Sequence, residues 1–128
     1  MIRVLIADDH SGVRRMLRQL LEEGGDITVC AEAADGEEAV RLAYETEPDV
    51  AVLDLVMPRI NGIEATQRIR GRGAAPEVVV VSLHLFEGVS RSVMDAGARC
   101  YLLKSELPDH LVRAVRMARE HRAYVIAT

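Results

Sequence analysis

The chain has 128 residues and a formal charge of −4, enough for one domain around a single core and too little for a second. It contains no lysine-rich run, and with the acidic balance this argues against direct nucleic-acid contact by this segment, because phosphate binding needs a clustered basic face. The opening MIRVLIADD reaches an acidic pair after one short apolar stretch, too short for a signal peptide or a membrane span, so a cytoplasmic location with no membrane contact is expected.

Residues 2–7, aliphatic apart from Arg3, read as a buried strand, and Asp8 and Asp9 follow at its end. Val13, Met16, Leu17, Leu20 and Leu21 then repeat at helical spacing, with Arg14, Arg15, Arg18, Glu22 and Glu23 on the other face and Gly24 and Gly25 to stop the helix. A second strand over 27–31 precedes a helix over 37–45 that stops before Pro48. The third strand, 50–53, runs directly into Asp54; the helix after it starts at Asn61, a good N-cap, and stops near Gly71, with Pro76 in the following loop. Residues 78–81 are four valines ending at Ser82, followed by a helix over 87–95 with Gly97 as its stop. The fifth strand, 100–103, ends at Lys104. The last helix runs from Pro108 to about His121, with Leu111, Val115 and Ala118 inward, Arg113, Arg116 and Arg119 largely outward, and AYVIAT as an apolar tail. Cys30 and Cys100 have no Cys or His at metal-ligand spacing and read as small buried hydrophobes.

Strict alternation of strand and helix implies an α/β fold, a parallel five-stranded sheet with right-handed crossovers and helices on both faces. Five strands suit a flavodoxin-like (βα)5 three-layer sandwich of strand order 2-1-3-4-5, in which strands 1 and 3 flank the switch point where ligands bind beyond the carboxyl ends. Five polar residues therefore converge at one edge: Asp8 and Asp9, Asp54, Ser82 and Lys104.

Neighbouring strands lie roughly 4.8 Å apart, so these carboxylates come within reach of one ligand. Two of them at about 4 Å repel by about 4 kcal/mol at an effective dielectric near 20, a conflict that a divalent cation removes. An all-oxygen site with few protein ligands suits Mg²⁺. Taken singly, each residue has an ordinary role: Asp8 and Asp9 as a helix N-terminal acidic turn, Ser82 as a cap or turn hydroxyl, Lys104 as a solvated lysine. Their coincidence at one sheet edge points to a phosphoryl-accepting site.

The segments LIADDH at 5–10, VLDLVMPRINGIEA at 52–65, VVSLH at 80–84 and GARCYLLKS at 97–105 together resemble the receiver domain of bacterial two-component response regulators. The last of these, with DGEEAVRLA at 35–43, is similar to the NarL/FixJ subfamily, whose members carry a LuxR-type helix-turn-helix after the receiver. The resemblance covers the whole chain. It implies that Asp54 accepts a phosphoryl group from a sensor histidine kinase. It also implies Mg²⁺ binding by Asp9, Asp54 and the Val56 backbone carbonyl, with Asp8 acting through water and Lys104 neutralising charge. Ser82 and Tyr101 are then the switch pair, and Val56 and His84 flank the path of the attacking water and tune dephosphorylation. A homodimer on phosphorylation and a DNA-binding output domain beyond residues 1–128 follow from the same resemblance. Two positions depart from the pattern: Ser105 follows the site lysine where many members have proline, and Leu83 stands where a smaller residue is common.

Three other functions fit parts of the sequence. A stand-alone receiver acting by phosphorelay or docking needs no output domain. A small-molecule Mg²⁺-dependent phosphatase of the haloacid dehalogenase type carries DxD after its first strand, whereas here the acids are adjacent and the candidate nucleophile follows the third strand. A flavin or nucleotide module wants a phosphate-binding loop after strand 1, and ADDHSG is acidic.

Overall fold

Short aliphatic runs covered on both faces pair readily in a parallel sheet, and the chain does this five times. The computed structural model describes residues 1–73, 76–83 and 88–125. Its elements are β1 (Ile2–Ala7), α1 (Ser11–Glu22), β2 (Ile27–Ala33), α2 (Gly36–Thr46), β3 (Val50–Asp54), α3 (Gly62–Arg70), β4 (Glu77–Ser82), α4 (Val89–Asp95), β5 (Cys100–Leu103), a 3-10 turn (Lys104–Glu106), α5 (Leu107–Arg119) and β6 (Tyr124–Val125). All pairings are parallel, in the order β2-β1-β3-β4-β5-β6. The expected 2-1-3-4-5 core is present, extended by one short strand.

The sheet separates two apolar layers. On one face Val4, Ile6, Val50 and Val52 pack against Leu17 and Leu21 of α1 and Leu111, Ala114 and Val115 of α5. On the other, Leu5, Ala7, Ala51 and Leu53 meet Ala39 and Ala43 of α2, Ala65 and Ile69 of α3 and Val93 of α4. β2 changes allegiance along its length. Ile27 and Val29 belong to the α1 and α5 layer, whereas Ala31 and Ala33 belong to the opposite one. A bulge causes this: Val4 pairs with Val29 and Leu5 with Ala31, so Cys30 is skipped.

The N-caps of α2 and α3 are those that the residue types favour. Asp35 accepts from the Glu38 N–H at 2.8 Å and Asn61 from the Glu64 N–H at 2.9 Å. Helix α4 begins at Val89, after Gly88 at φ 76°; the expected start at Glu87 lies outside the described residues.

The C-terminal tail differs most from expectation. Tyr124 and Val125 pair with Cys100 and Tyr101, covering the edge that β5 would otherwise expose. The Tyr124 hydroxyl hydrogen-bonds His110 Nδ1, and the Arg113 guanidinium lies 5.5 Å from the Tyr124 ring centre. His121, at φ 62°, sets Nδ1 3.1 Å from Glu77 Oε1. Two other α5 arginines expected to face solvent are also tied down. Arg116 makes a forked pair with Asp26 at 2.9 Å in both arms, and Arg119 lies 3.7 Å from Asp49. Among the described residues no helix is long and apolar enough to cross a membrane.

Candidate functional site

The carboxyl ends of β1, β3, β4 and β5 bring the predicted residues to one edge. Asp54 is the last residue of β3, paired with Val81, and Ser82 is the last of β4, paired with Leu103 immediately before Lys104. Asp8 is 1 % exposed and Asp54 6 %, whereas Asp9 faces solvent. Lys104 Nζ stands between the two buried carboxylates, 2.9 Å from Asp8 Oδ2 and 3.3 Å from Asp54 Oδ2. The lysine is thus no ordinary solvated side chain; it is the cation that β5 offers to β1 and β3.

One ammonium does not balance this edge. Burial first and the negative charge of Asp8 second push the Asp54 carboxyl up to about 6, although Lys104 and the Val56 backbone N–H favour its ionised form. Burial works against the charged form of Lys104, but Asp8 and Asp54 outweigh it and hold the ammonium above its ordinary value. Two buried carboxylates on one lysine, with the exposed Asp9 carboxylate close to Asp8, leave an all-oxygen, net-negative donor set. Asp8, Asp9 and Asp54 therefore fit a divalent cation of the Mg²⁺ kind, in both ligand type and charge.

The turn after β1 is closely specified. The Asp8 N–H donates to the Ala33 carbonyl at 3.1 Å, and Asp8 Oδ1 accepts from the His10 N–H at 2.9 Å. His10 Nδ1 lies 3.1 Å from Asp9 Oδ1, and one ligand atom from each of Asp8, Asp9 and His10 falls within 4.8 Å of the others. His10 was not among the residues expected at the site. Its position directly after the acidic pair was the available signal.

Behind Asp54 the backbone is pressed against α3. The Leu55 N–H donates to the Val81 carbonyl at 2.8 Å, and the Gly62 N–H to the Leu55 carbonyl at 2.7 Å. A Cβ on Gly62 would stand 2.5 Å from the Asp54 carbonyl oxygen, so only glycine allows this approach. The Val56 and Leu83 side chains are exposed beside the site. Tyr101 is wholly buried in β5, and its hydroxyl has no hydrogen-bond partner among the described residues. His84 lies outside the described residues.

The family model for the response regulator receiver domain matches residues 4–116. The transcriptional regulatory protein LiaR of Bacillus subtilis is 44% identical over 118 residues, 92% of this chain and 56% of LiaR. The response regulator UvrY of Escherichia coli K12 is 37% identical over 125 residues, 98% of this chain and 57% of UvrY. The chain thus spans little more than half the length of these relatives. Among solved structures, a LuxR-family two-component response regulator from Aurantimonas sp. SI85-9A1 superposes with a TM-score of 0.92 at 37% identity, covering 99% of this chain and 90% of that one. The NarL signal receiver domain from Mycobacterium tuberculosis gives 0.91 at 30% identity, covering 94% of this chain and 98% of that one. These relatives are response regulators rather than classical enzymes, and with fold, strand-end site and family match in agreement, this chain belongs to the response regulator receiver domain family.

Proposed function

We propose that this domain is a phosphorylation-controlled switch in which Asp54 is the phosphoacceptor. The observation that carries the reading is the Lys104 ammonium bridging two buried carboxylates, one of them raised to about 6. Above that pH Asp54 is ionised. Its oxygen attacks the phosphorus of a phosphohistidine on a sensor kinase; the new P–O bond forms as the P–N bond breaks, and the imidazole leaves. Lys104, already beside Asp54, takes up charge that develops on the phosphoryl oxygens. Asp9, Asp54 and the Val56 carbonyl would hold Mg²⁺, with Asp8 acting through water, and the ion would supply the remaining neutralisation. Ser82 receives a phosphoryl oxygen and Tyr101 follows it, a population shift read on α4, β5 and α5. Val56 and His84 govern the rate at which water removes the group, so the slow self-dephosphorylation is their property.

In the whole protein, residues 1–128 act as the receiver for a DNA-binding output domain further along the polypeptide, with homodimerisation on phosphorylation and a cytoplasmic location. The length of LiaR and UvrY beyond the matched region supports this organisation. The test is labelling with a small-molecule phosphodonor and Mg²⁺: the parent takes up one acid-stable, hydroxylamine-labile phosphoryl group and Asp54→Ala takes up none. Equal labelling of the two would remove Asp54 from its role.

A further inference from the structure

Between the end of β1 and the start of α1 two backbone carbonyls, of buried Asp8 and exposed Asp9, have no place in either element. The first helical acceptor is the His10 carbonyl, which receives the N–H groups of Val13 and Arg14 at 3.1 Å each. The Asp8 carbonyl lies before it, on a residue that is itself buried, and needs a donor from elsewhere. Arg14 supplies one by reaching back along its own helix, with Nη1 2.6 Å from the Asp8 oxygen. The same guanidinium is fixed from its other side: Nε donates to Glu32 Oε1 of β2 at 3.2 Å. Glu32 is held in turn by Arg18, whose Nε and Nη2 lie 3.0 and 2.6 Å from Oε2. The Arg18 hydrogen bond overcomes the effect of burial and keeps the Glu32 carboxyl below its ordinary value.

With Arg14 in place every polar group of Asp8 is engaged: N–H to Ala33, carbonyl to Arg14, Oδ1 to the His10 N–H, Oδ2 to Lys104. A continuous polar chain then runs from Arg18 through Glu32 and Arg14 to Asp8, and on through Lys104 to Asp54. The turn that carries the acidic pair is thus held from within by the Asp8 Oδ1–His10 N–H bond and from α1 by Arg14.

We infer that Arg14, backed by Glu32, is a positioning residue that fixes the Asp8–Asp9 turn for its cation. The inference rests on the reading of Asp8 and Asp9 as Mg²⁺ ligands, and it has a sign that a simple charge effect cannot imitate. Arg14 is itself a cation beside an acidic site, so through charge alone its removal would tighten Mg²⁺ binding. If its work is to hold the turn, removal weakens binding, by about tenfold as for other outer-shell supports of metal ligands.

The test is calorimetric titration of MgCl2, at constant ionic strength and without phosphodonor, into the metal-free parent, Arg14→Ala, Arg14→Lys and Leu20→Ala. Arg14→Ala is expected to bind about tenfold more weakly. Arg14→Lys keeps the charge but cannot fork between Asp8 and Glu32, and is expected to bind more weakly too. Leu20→Ala trims a half-buried side chain of the same helix and leaves the affinity at the parent value. In 15N relaxation of the metal-free proteins, the Asp9 and His10 amides gain fast motion in both Arg14 variants and not in Leu20→Ala. A parent that binds no Mg²⁺ overturns the reading of the site. A parent that binds, with Arg14→Ala or Arg14→Lys binding as tightly or more tightly, overturns the clamp alone.

Discussion

Asp54 in the metal-free protein keeps its proton to about pH 6, against 3.8 for the free side chain, because burial and Asp8 both oppose its charge. The folded state therefore holds a proton that the unfolded chain releases. The stabilising contribution is complete below about pH 4, is lost as pH rises towards 6, and above that the ionised carboxylate opposes folding. Asp54→Asn is accordingly expected to stabilise the metal-free protein by about 1–3 kcal/mol at pH 8, with the gain shrinking to nothing near pH 4. Urea denaturation followed by far-ultraviolet circular dichroism at the two pH values checks this. Gly62 is the second single residue on which the site depends. Gly62→Ala forces a methyl against the Asp54 carbonyl and Leu55 Cα, so a loss of about 1–3 kcal/mol is expected in the same assay, with weaker phosphoryl labelling.

The element with most to reveal is the short C-terminal strand. Asp54 and Lys104 were legible in the sequence because each directly follows an aliphatic run, and a strand end in a parallel sheet has a known destination. β6 was not, since two residues carry no period and its hold comes from β5 and α5. Arg14 was hidden for a related reason: helical spacing places it on the outer face, and only the third dimension shows it bending back to Asp8. At the opposite end of β4, Glu77 is buried, with Arg99 Nε at 2.8 Å, His121 at 3.1 Å and Arg70 at 3.4 Å. Burial pulls its carboxyl upward, yet Arg99, His121 and Arg70 hold it lower than usual. This support is present above the ordinary carboxylate range and disappears on acidification. Glu77→Ala is expected to cost about 2–4 kcal/mol at pH 7 by urea denaturation. Burial also pushes the Cys100 thiol up to about 12, and β6 lies over it. With a thiol reagent in the native state, half-buried Cys30 is expected to react and Cys100 not, whereas Tyr124→Ala opens Cys100 and mass spectrometry counts a second adduct.

At the scale of the molecule, a sheet whose strands all run one way separates two tasks. The carboxyl edge collects uncompensated acid, and the amino edge carries the Glu77 cluster that ties β4 to Arg99 before β5 and to His121 after α5. The first edge gives up stability that a ligand restores: Mg²⁺ at about 100 times its Kd should add about 2.7 kcal/mol, read as a rise in Tm. The rise should be lost in Asp9→Asn. The carboxyl edge also depends on the register of β2, where the skipped Cys30 turns every later residue of the strand over. Without that turn Glu32 would face α2 and an alanine would face Arg14 and Arg18. Deleting Cys30 would remove the extra residue yet leave Leu5 opposite Ala31 and Ile6 opposite Glu32, so the support of the acidic turn would survive it; a β2 that kept Cys30 in step would strip that support, and the spacing of β2 is as much a part of the site as the aspartates themselves.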